Sequence, residues 1–238
     1  MHVERGGGVA DRGRPVRRQE HCRHVAFHLP AQGPDRFEPV ALIEMVVGEN
    51  RFRDDVLRPD CVDCALQIFP AASQELVSRP LFPVRRVFCA TPAYLEAHGM
   101  PENPRELHRH TLGLYSGYPT RDRWTFHHRG EQITIYLAAA LLTNSVHLLR
   151  EYALEHAGIV CLPTLVAGDA IRRGDLRVVL AEHQLSSFPL SAVYANTSRK
   201  AFKLRLFIEH IGNEFAHDPP WDAALIEKGL IPAELIEA

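Results

Sequence analysis

The sequence predicts an α/β clamp of two lobes, each a mainly parallel sheet flanked by helices, joined by two crossover strands. Three observations predict it. The stretch from Ser78 to Phe215 is bracketed by two long apolar strand patterns, Val84–Ala90 and Leu190–Asn196. Between them strand and helix patterns alternate, the order of a sheet with helical cover. Beyond them lies the strongest amphipathic signal in the chain, Leu204, Phe207, Ile208, Ile211 and Phe215 at helical spacing, a stripe that must dock on something large. A chain that leaves one lobe through one strand and returns through another makes a cleft between them, and strand ends and helix N-termini face such clefts.

Taken in order, Val40–Val47 is a nearly continuous apolar run interrupted only by Glu44, as expected of a strand covered on both faces. Asn50 can cap a short helix that Pro59 ends, and Val62–Phe69 is a second strand, so this opening reads as a βαβ unit with parallel strands. Leu76–Phe82 is a third extended segment. Thr91 caps a helix with Pro92 at its first position and Gly99 past its end, and Asn103-Pro104 starts another. Strands follow at Thr111–Tyr115, Arg123–His128 and Gln132–Leu137, the last two joined by an Arg129-Gly130-Glu131 turn, and a further strand ends near Leu142. Ser145 caps a helix whose apolar face is Val146, Leu149, Tyr152, Ala153 and Ala157, closed by Gly158. Ile159–Leu162 is a strand, Pro163 opens a helix that stops at Gly174, and Leu176–Leu180 is a strand. Residues 37–86 with 197–217 are expected as the first lobe and 87–196 as the second. The stripe should close the first lobe against Leu42–Val47 and Cys64–Ile68, and residues 218–238 are expected as a loosely attached tail.

With 238 residues, 46% of them hydrophobic, and a net charge of −2, the chain can bury one good core or two small ones and carries no global nucleic-acid footprint. Only residues 1–36 are basic, with seven Arg against four acids and no Lys in a Gly-rich context. That leader reads as disordered, or alternatively as a nucleic-acid arm. No run approaches the ~18 apolar residues of a membrane span and no secretory signal precedes the fold, so a cytoplasmic protein without a membrane partner is expected. The odd, scattered cysteines at 22, 61, 64, 89 and 161 fit a reducing compartment.

Candidate chemistry is sparse. Cys61-Val62-Asp63-Cys64 has the spacing of a chelating or redox pair, but no second pair supplies further ligands and Cys64 alternates with Leu66 and Ile68, so buried apolar cysteine is the expectation. The histidines at 21, 24 and 28 and at 108, 110, 127 and 128 form no closed tetrahedral set, and Gly6-Gly7-Gly8 lacks the Lys-Ser/Thr of a phosphate loop. Neither a nucleophile–base pair nor a carboxylate pair emerges, so no catalytic residue, metal or cofactor is assigned. Leu142-Thr143-Asn144-Ser145 remains, a strand end running into a helix start. It reads either as a plain N-cap or as a polar-ligand site built from side chains and free backbone N–H groups.

Several motifs then carry a resemblance: Arg79-Pro80-Leu81, Arg85-Arg86-Val87-Phe88-Cys89-Ala90-Thr91-Pro92-Ala93-Tyr94-Leu95, His98-Gly99 with Pro101, and Pro104-Arg105-Glu106-Leu107. Trp124-Thr125-Phe126, Thr143-Asn144-Ser145 and Ala157-Gly158-Ile159-Val160-Cys161-Leu162-Pro163 continue it. In this order and spacing they resemble the effector-binding (substrate-binding) domain of LysR-type transcriptional regulators. The resemblance implies a periplasmic-binding-protein-like clamp, a small-molecule effector between the lobes and a homo-oligomer. DNA contact would run only through a helix-turn-helix domain, which residues 1–36 do not display, so the chain is expected to lack that part. The implied effector-binding residues are Phe69, Pro70, Ala71, Ser73, Tyr115, Ser116, Thr143, Asn144, Ser145, Pro163 and Thr164. A stand-alone solute-binding protein of the same fold is the alternative.

Overall fold

The computed structural model describes residues 22–27, 41–46, 63–69, 75–197, 202–215 and 219–234. They fall into two compact units, 1–48 and 49–238. In the first, β1 (Cys22–Phe27) pairs antiparallel with β2 (Ala41–Val46), Cys22 opposite Val46 and Phe27 opposite Ala41. This corrects the disordered reading of the leader over Cys22–Phe27, where Val25 and Phe27 are strand formers hidden by the Arg- and Gly-rich sequence before them. It also gives β2 an antiparallel neighbour instead of opening a parallel unit. The helix expected after Asn50 lies outside the described residues.

The second unit is organised around a five-stranded sheet in the order β11-β5-β10-β6-β9. Its strands are β5 (Arg86–Ala90), β6 (Leu112–Tyr115), β9 (Leu141–Thr143), β10 (Ile159–Pro163) and β11 (Arg177–Val179). The sheet is mixed where mainly parallel pairing was expected: β10 with β6 and β6 with β9 run parallel, whereas β5 is antiparallel to both β10 and β11. The apolar runs follow from cover on both faces. On one face Phe88, Ala90, Leu114, Ile159 and Cys161 lie under the hairpin of β7 (Arg123–His128) and β8 (Glu131–Tyr136), which contributes Trp124, Phe126 and Ile135. On the other, Cys89, Val160 and Leu162 lie under α2 (Val146–Leu154) and α3 (Thr164–Arg173).

Local chemistry sets the ends of these elements. The Thr91 hydroxyl accepts from Tyr94 N–H at 3.4 Å to start α1 (Pro92–His98). Asn103 caps a 3-10 helix, Pro104–Arg109, whose Glu106 carboxylate accepts from Glu102 N–H at 2.7 Å. The β7–β8 turn has φ 49° at Arg129 and 82° at Gly130, the pair of positive angles that a two-residue hairpin turn requires.

A separate three-stranded sheet, β3-β13-β4, carries the crossovers. Here β13 (Phe188–Ala195) runs antiparallel to β3 (Ala65–Gln67) and to β4 (Leu76–Val84), with Val84 opposite Phe188. The helix α4 (Phe202–Phe215) seats Leu204, Phe207 and Ile208 on Ala192, Tyr194, Val77, Leu81 and Cys64. The stripe therefore docks on the crossover sheet, including the Cys64 side expected for it. Cys64 is half-buried against this cluster and not the fully buried cysteine expected, and its thiol is pushed up to about 12, chiefly by burial.

Over residues 219–234 the C-terminal tail is not loose, which corrects the expectation of a loosely attached tail at 218–238. Pro220 opens α5 (Pro220–Glu227), which packs along α3: Leu225 is fully buried, and Trp221 lies 3.5 Å from where a side chain on Gly168 would begin. The acidic, proline-rich composition masked this, because Trp221 and Leu225 share one helical face while Asp222 is buried against Arg85.

Two histidines give the fold a pH response. His183 stacks on His128 at 4.5 Å, and its pKa is lowered by burial and then by that neighbour; His110 is lowered by burial and then by His98. Between the ordinary pKa near ~6.5 and the lower folded values, the unfolded chain binds more protons than the folded one. Their contribution is complete above about pH 6.5 and falls as pH drops through the folded pKa values. Urea titrations at pH 7.5 and 5.5 should show a loss of stability at the lower pH that is smaller in a His110→Gln/His183→Gln variant. An equal loss in both proteins would assign the acid sensitivity elsewhere.

Candidate functional site

The three strands of the large sheet that run parallel, β6, β9 and β10, bring Tyr115, Thr143 and Pro163 to one edge of it. Two helices begin at that edge. Tyr115 is paired with Thr143, and Ser116 N–H donates to the Thr143 carbonyl at 2.9 Å. The Thr143 hydroxyl accepts from Ser145 N–H at 3.1 Å, and the Ser145 hydroxyl accepts from Leu148 N–H at 3.3 Å, capping α2. Asn144 between them is exposed. Thr143, Asn144, Ser145, Tyr115 and Ser116 thus form one cluster of hydroxyl, amide and backbone groups beside the positive end of a helix.

An aromatic chain links this cluster to the crossovers. The Tyr115 ring meets Tyr118 edge-on at 5.3 Å, Tyr118 meets Phe69 at 5.9 Å, and Phe69 meets Phe188 of β13 at 4.7 Å. Gly117 makes room for this: a Cβ there would sit 2.4 Å from the Tyr115 ring. The Arg86 guanidinium lies 4.2 Å from the Phe188 ring centre and 4.7 Å from that of Tyr118, and donates to the Ser186 carbonyl at 2.9 Å. Burial raises both tyrosine hydroxyls, that of Tyr118 well above its ordinary value, so both are neutral hydrogen-bonding groups at neutral pH. Cys161, 4.0 Å from the Tyr118 hydroxyl, is pushed up to about 11 by burial and is a poor nucleophile at neutral pH.

Pro163 and Thr164 are buried at the start of α3, and the Thr164 N–H and hydroxyl both donate to the Arg85 carbonyl, at 3.0 and 3.4 Å. Pro70, Ala71 and Ser73 lie outside the described residues. Tyr118, Arg86 and Phe188 escaped the sequence reading. The signal for Arg86 was present, since a charged residue inside the apolar run Val84–Ala90 needs a partner once folded. Among the described residues no group of three or more His, Cys, Asp or Glu side chains could hold a metal ion, and no helix is long and apolar enough to cross a membrane.

Comparison with known proteins places this geometry. Residues 39–216 match the model of the LysR substrate binding domain. The chain belongs to this family. The regulatory domain of CrgA, a LysR-type transcriptional regulator from Neisseria meningitidis, superposes with a TM-score of 0.60 at 27% identity, covering 68% of this chain and 80% of that one. Full-length AphB, the Vibrio cholerae virulence activator, has the same fold, with a TM-score of 0.57 at 24% identity over 71% of this chain and 56% of that one. Among curated sequences, the probable HTH-type transcriptional regulator LtrA of Klebsiella pneumoniae is 32% identical over 155 residues, 64% of this chain and 50% of that protein. The chain spans about half the length of such LysR-type relatives. The α/β clamp expected from the sequence is therefore the LysR regulatory-domain fold, and the relatives are transcriptional regulators.

Proposed function

We propose that this chain is the effector-sensing part of a LysR-type transcriptional regulator that binds a small polar or anionic molecule where β6, β9 and β10 end. In this proposal residues 37–86 with 197–217 and residues 87–196 are the two lobes. The effector contacts Thr143, Asn144, Ser145, Tyr115 and Ser116 on one side and Phe69, Pro70, Ala71 and Ser73 on the other, with Pro163 and Thr164 shaping the floor. The protein is a cytoplasmic homo-oligomer without catalytic activity, and contact with duplex DNA requires a helix-turn-helix segment. Preferential binding to one clamp geometry shifts the arrangement of the oligomer and so transcription. The family match over residues 39–216 carries the proposal, and the convergence of Ser116, Thr143 and Ser145 on one sheet edge supports this choice of site.

The test is a thermal-shift and calorimetric screen of small carboxylates and aromatic acids against the wild type, Ser145→Ala and Ser145→Trp. Loss of the cap in Ser145→Ala should cost about 1 kcal/mol of stability and weaken the ligand without abolishing it, because the backbone donors remain. Ser145→Trp should abolish binding by filling the edge. A ligand held with unchanged affinity by Ser145→Trp would move the site elsewhere.

A further inference from the structure

Arg85 lies in the break between β4 and β5, where the first crossover turns into the large sheet. Its guanidinium is spent on the end of the chain. Nη1 donates to the carbonyls of Pro232 at 3.1 Å and Glu234 at 2.8 Å, Nη2 donates to that of Ala233 at 2.8 Å, and Nε faces the Asp222 carboxylate at 3.4 Å. The ion pair is shielded, with side-chain exposures of 12% for Arg85 and 3% for Asp222. A planar fork satisfied on three successive carbonyls and a carboxylate is held in one orientation.

The main chain of the same residue serves the other side. Arg85 belongs to neither ladder, and its carbonyl accepts both the N–H and the hydroxyl of Thr164, the first residue of α3. The next residue, Arg86, pairs with Pro163 and places its guanidinium on the Phe188 and Tyr118 rings. Three segments distant in sequence thus meet at one position: the C-terminal strap, the crossover, and the strand-to-helix junction bordering the candidate effector edge.

We propose that Arg85 is a positioning residue through which the C-terminal strap, residues 219–234, sets the Pro163–Thr164 junction. Its relevance to effector sensing rests on the site proposed above, whereas the coupling itself is a property of the fold. When the strap is docked, the Arg85 peptide is fixed and the first turn of α3 keeps its N–H and hydroxyl satisfied. When it is released, the guanidinium swings free and the Arg85 peptide is no longer held from that side, so its carbonyl keeps the Thr164 bonds less firmly. An occupant of the effector edge that tightens the junction favours docking of the strap, and the converse holds by linkage.

Hydrogen exchange on the whole chain tests this without any ligand. Arg85→Lys keeps the charge toward Asp222 but cannot span three carbonyls; a chain ending at Gly229 keeps α5 and Asp222 but removes the carbonyls. In both, exchange of the Thr164 amide should quicken on the order of tenfold, with the β7–β8 hairpin amides at wild-type rates. If the shortened chain does not fold, Arg85→Lys alone decides. Thr164 exchange at the wild-type rate, or acceleration shared equally by the hairpin, overturns the proposal. Because no effector enters this readout, failure of the strap coupling and failure of the effector site are separately visible.

Discussion

Replacing Phe126 with Ala is expected to cost about 3–5 kcal/mol of stability. Phe126 is fully buried in the middle of β7, opposite Ile133 of β8 and Leu185 of β12 (Gln184–Leu185), and its ring stacks on Phe88 with centroids 5.6 Å apart and planes 27° apart. Beneath it, Phe88 also meets Trp124 at 5.2 Å. Truncation therefore removes the transfer energy of the ring and leaves a cavity walled by strands on both sides. Against a typical total of about 5–15 kcal/mol, that is a large share. Urea unfolding should show a lower midpoint at nearly unchanged slope, and Phe126→Leu, which keeps most of the volume, should recover most of the loss. A loss under about 1 kcal/mol for Phe126→Ala would mean that the hairpin is not packed on the sheet as described.

Much of this architecture was legible in the sequence, because the elements with strong local signals are also those that packing uses. Thr91-Pro92 with Gly99, Asn103-Pro104, Ser145 and Gly174 announce helix ends by capping chemistry alone, and each sits at an end in the structure. The run Ile159–Leu162 reads as a strand and is one, and the structure adds that its residues alternate between the two cores. Pairing direction was less legible. Nothing within Arg86–Ala90 says that it lies antiparallel to both its neighbours, since direction is decided by chain path and not by side-chain alternation. Docking of the tail was misread for a related reason: the partner of Asp222 is Arg85, 137 residues earlier, and such a pair leaves no periodic trace.

The candidate site divides in the same way. Thr143-Asn144-Ser145 is visible as a strand end meeting a helix start, and the β6–β9 register sets Tyr115 and Ser116, which the family resemblance had named, beside it. The family resemblance brought Pro163 and Thr164 to the same edge, but not the inward turn of the Thr164 hydroxyl, which donates to the Arg85 carbonyl between the two ladders. Tyr118 and Phe188 were out of reach, because an aromatic cluster assembled from a loop and a crossover strand has no fixed spacing to recognise.

Gly158→Ala should be the other severe substitution, for backbone and not conformational reasons. Gly158 is buried in the turn between α2 and β10, and a Cβ there would lie 2.4 Å from the Thr111 carbonyl oxygen and 3.0 Å from its carbon. That oxygen cannot swing aside, since it accepts from Ile159 N–H at 2.9 Å at the start of the β10–β6 pairing. Relief therefore requires the two strands to part or β10 to slide, a cost of about 3 kcal/mol or more by the measure of overpacked interiors. Gly174 supplies the control: its φ of 85° disfavours a side chain, yet a Cβ there meets nothing within 4 Å, so Gly174→Ala should cost only about 1 kcal/mol. Sliding of β10 would also carry Pro163 and Thr164 away from the Arg85 carbonyl, so, at the effector site proposed above, the Gly158 variant should lose ligand affinity while the Gly174 variant keeps it. Chemical denaturation of the two variants side by side checks the first part. Equal destabilisation by both would show that the Thr111 contact is not the constraint at this turn.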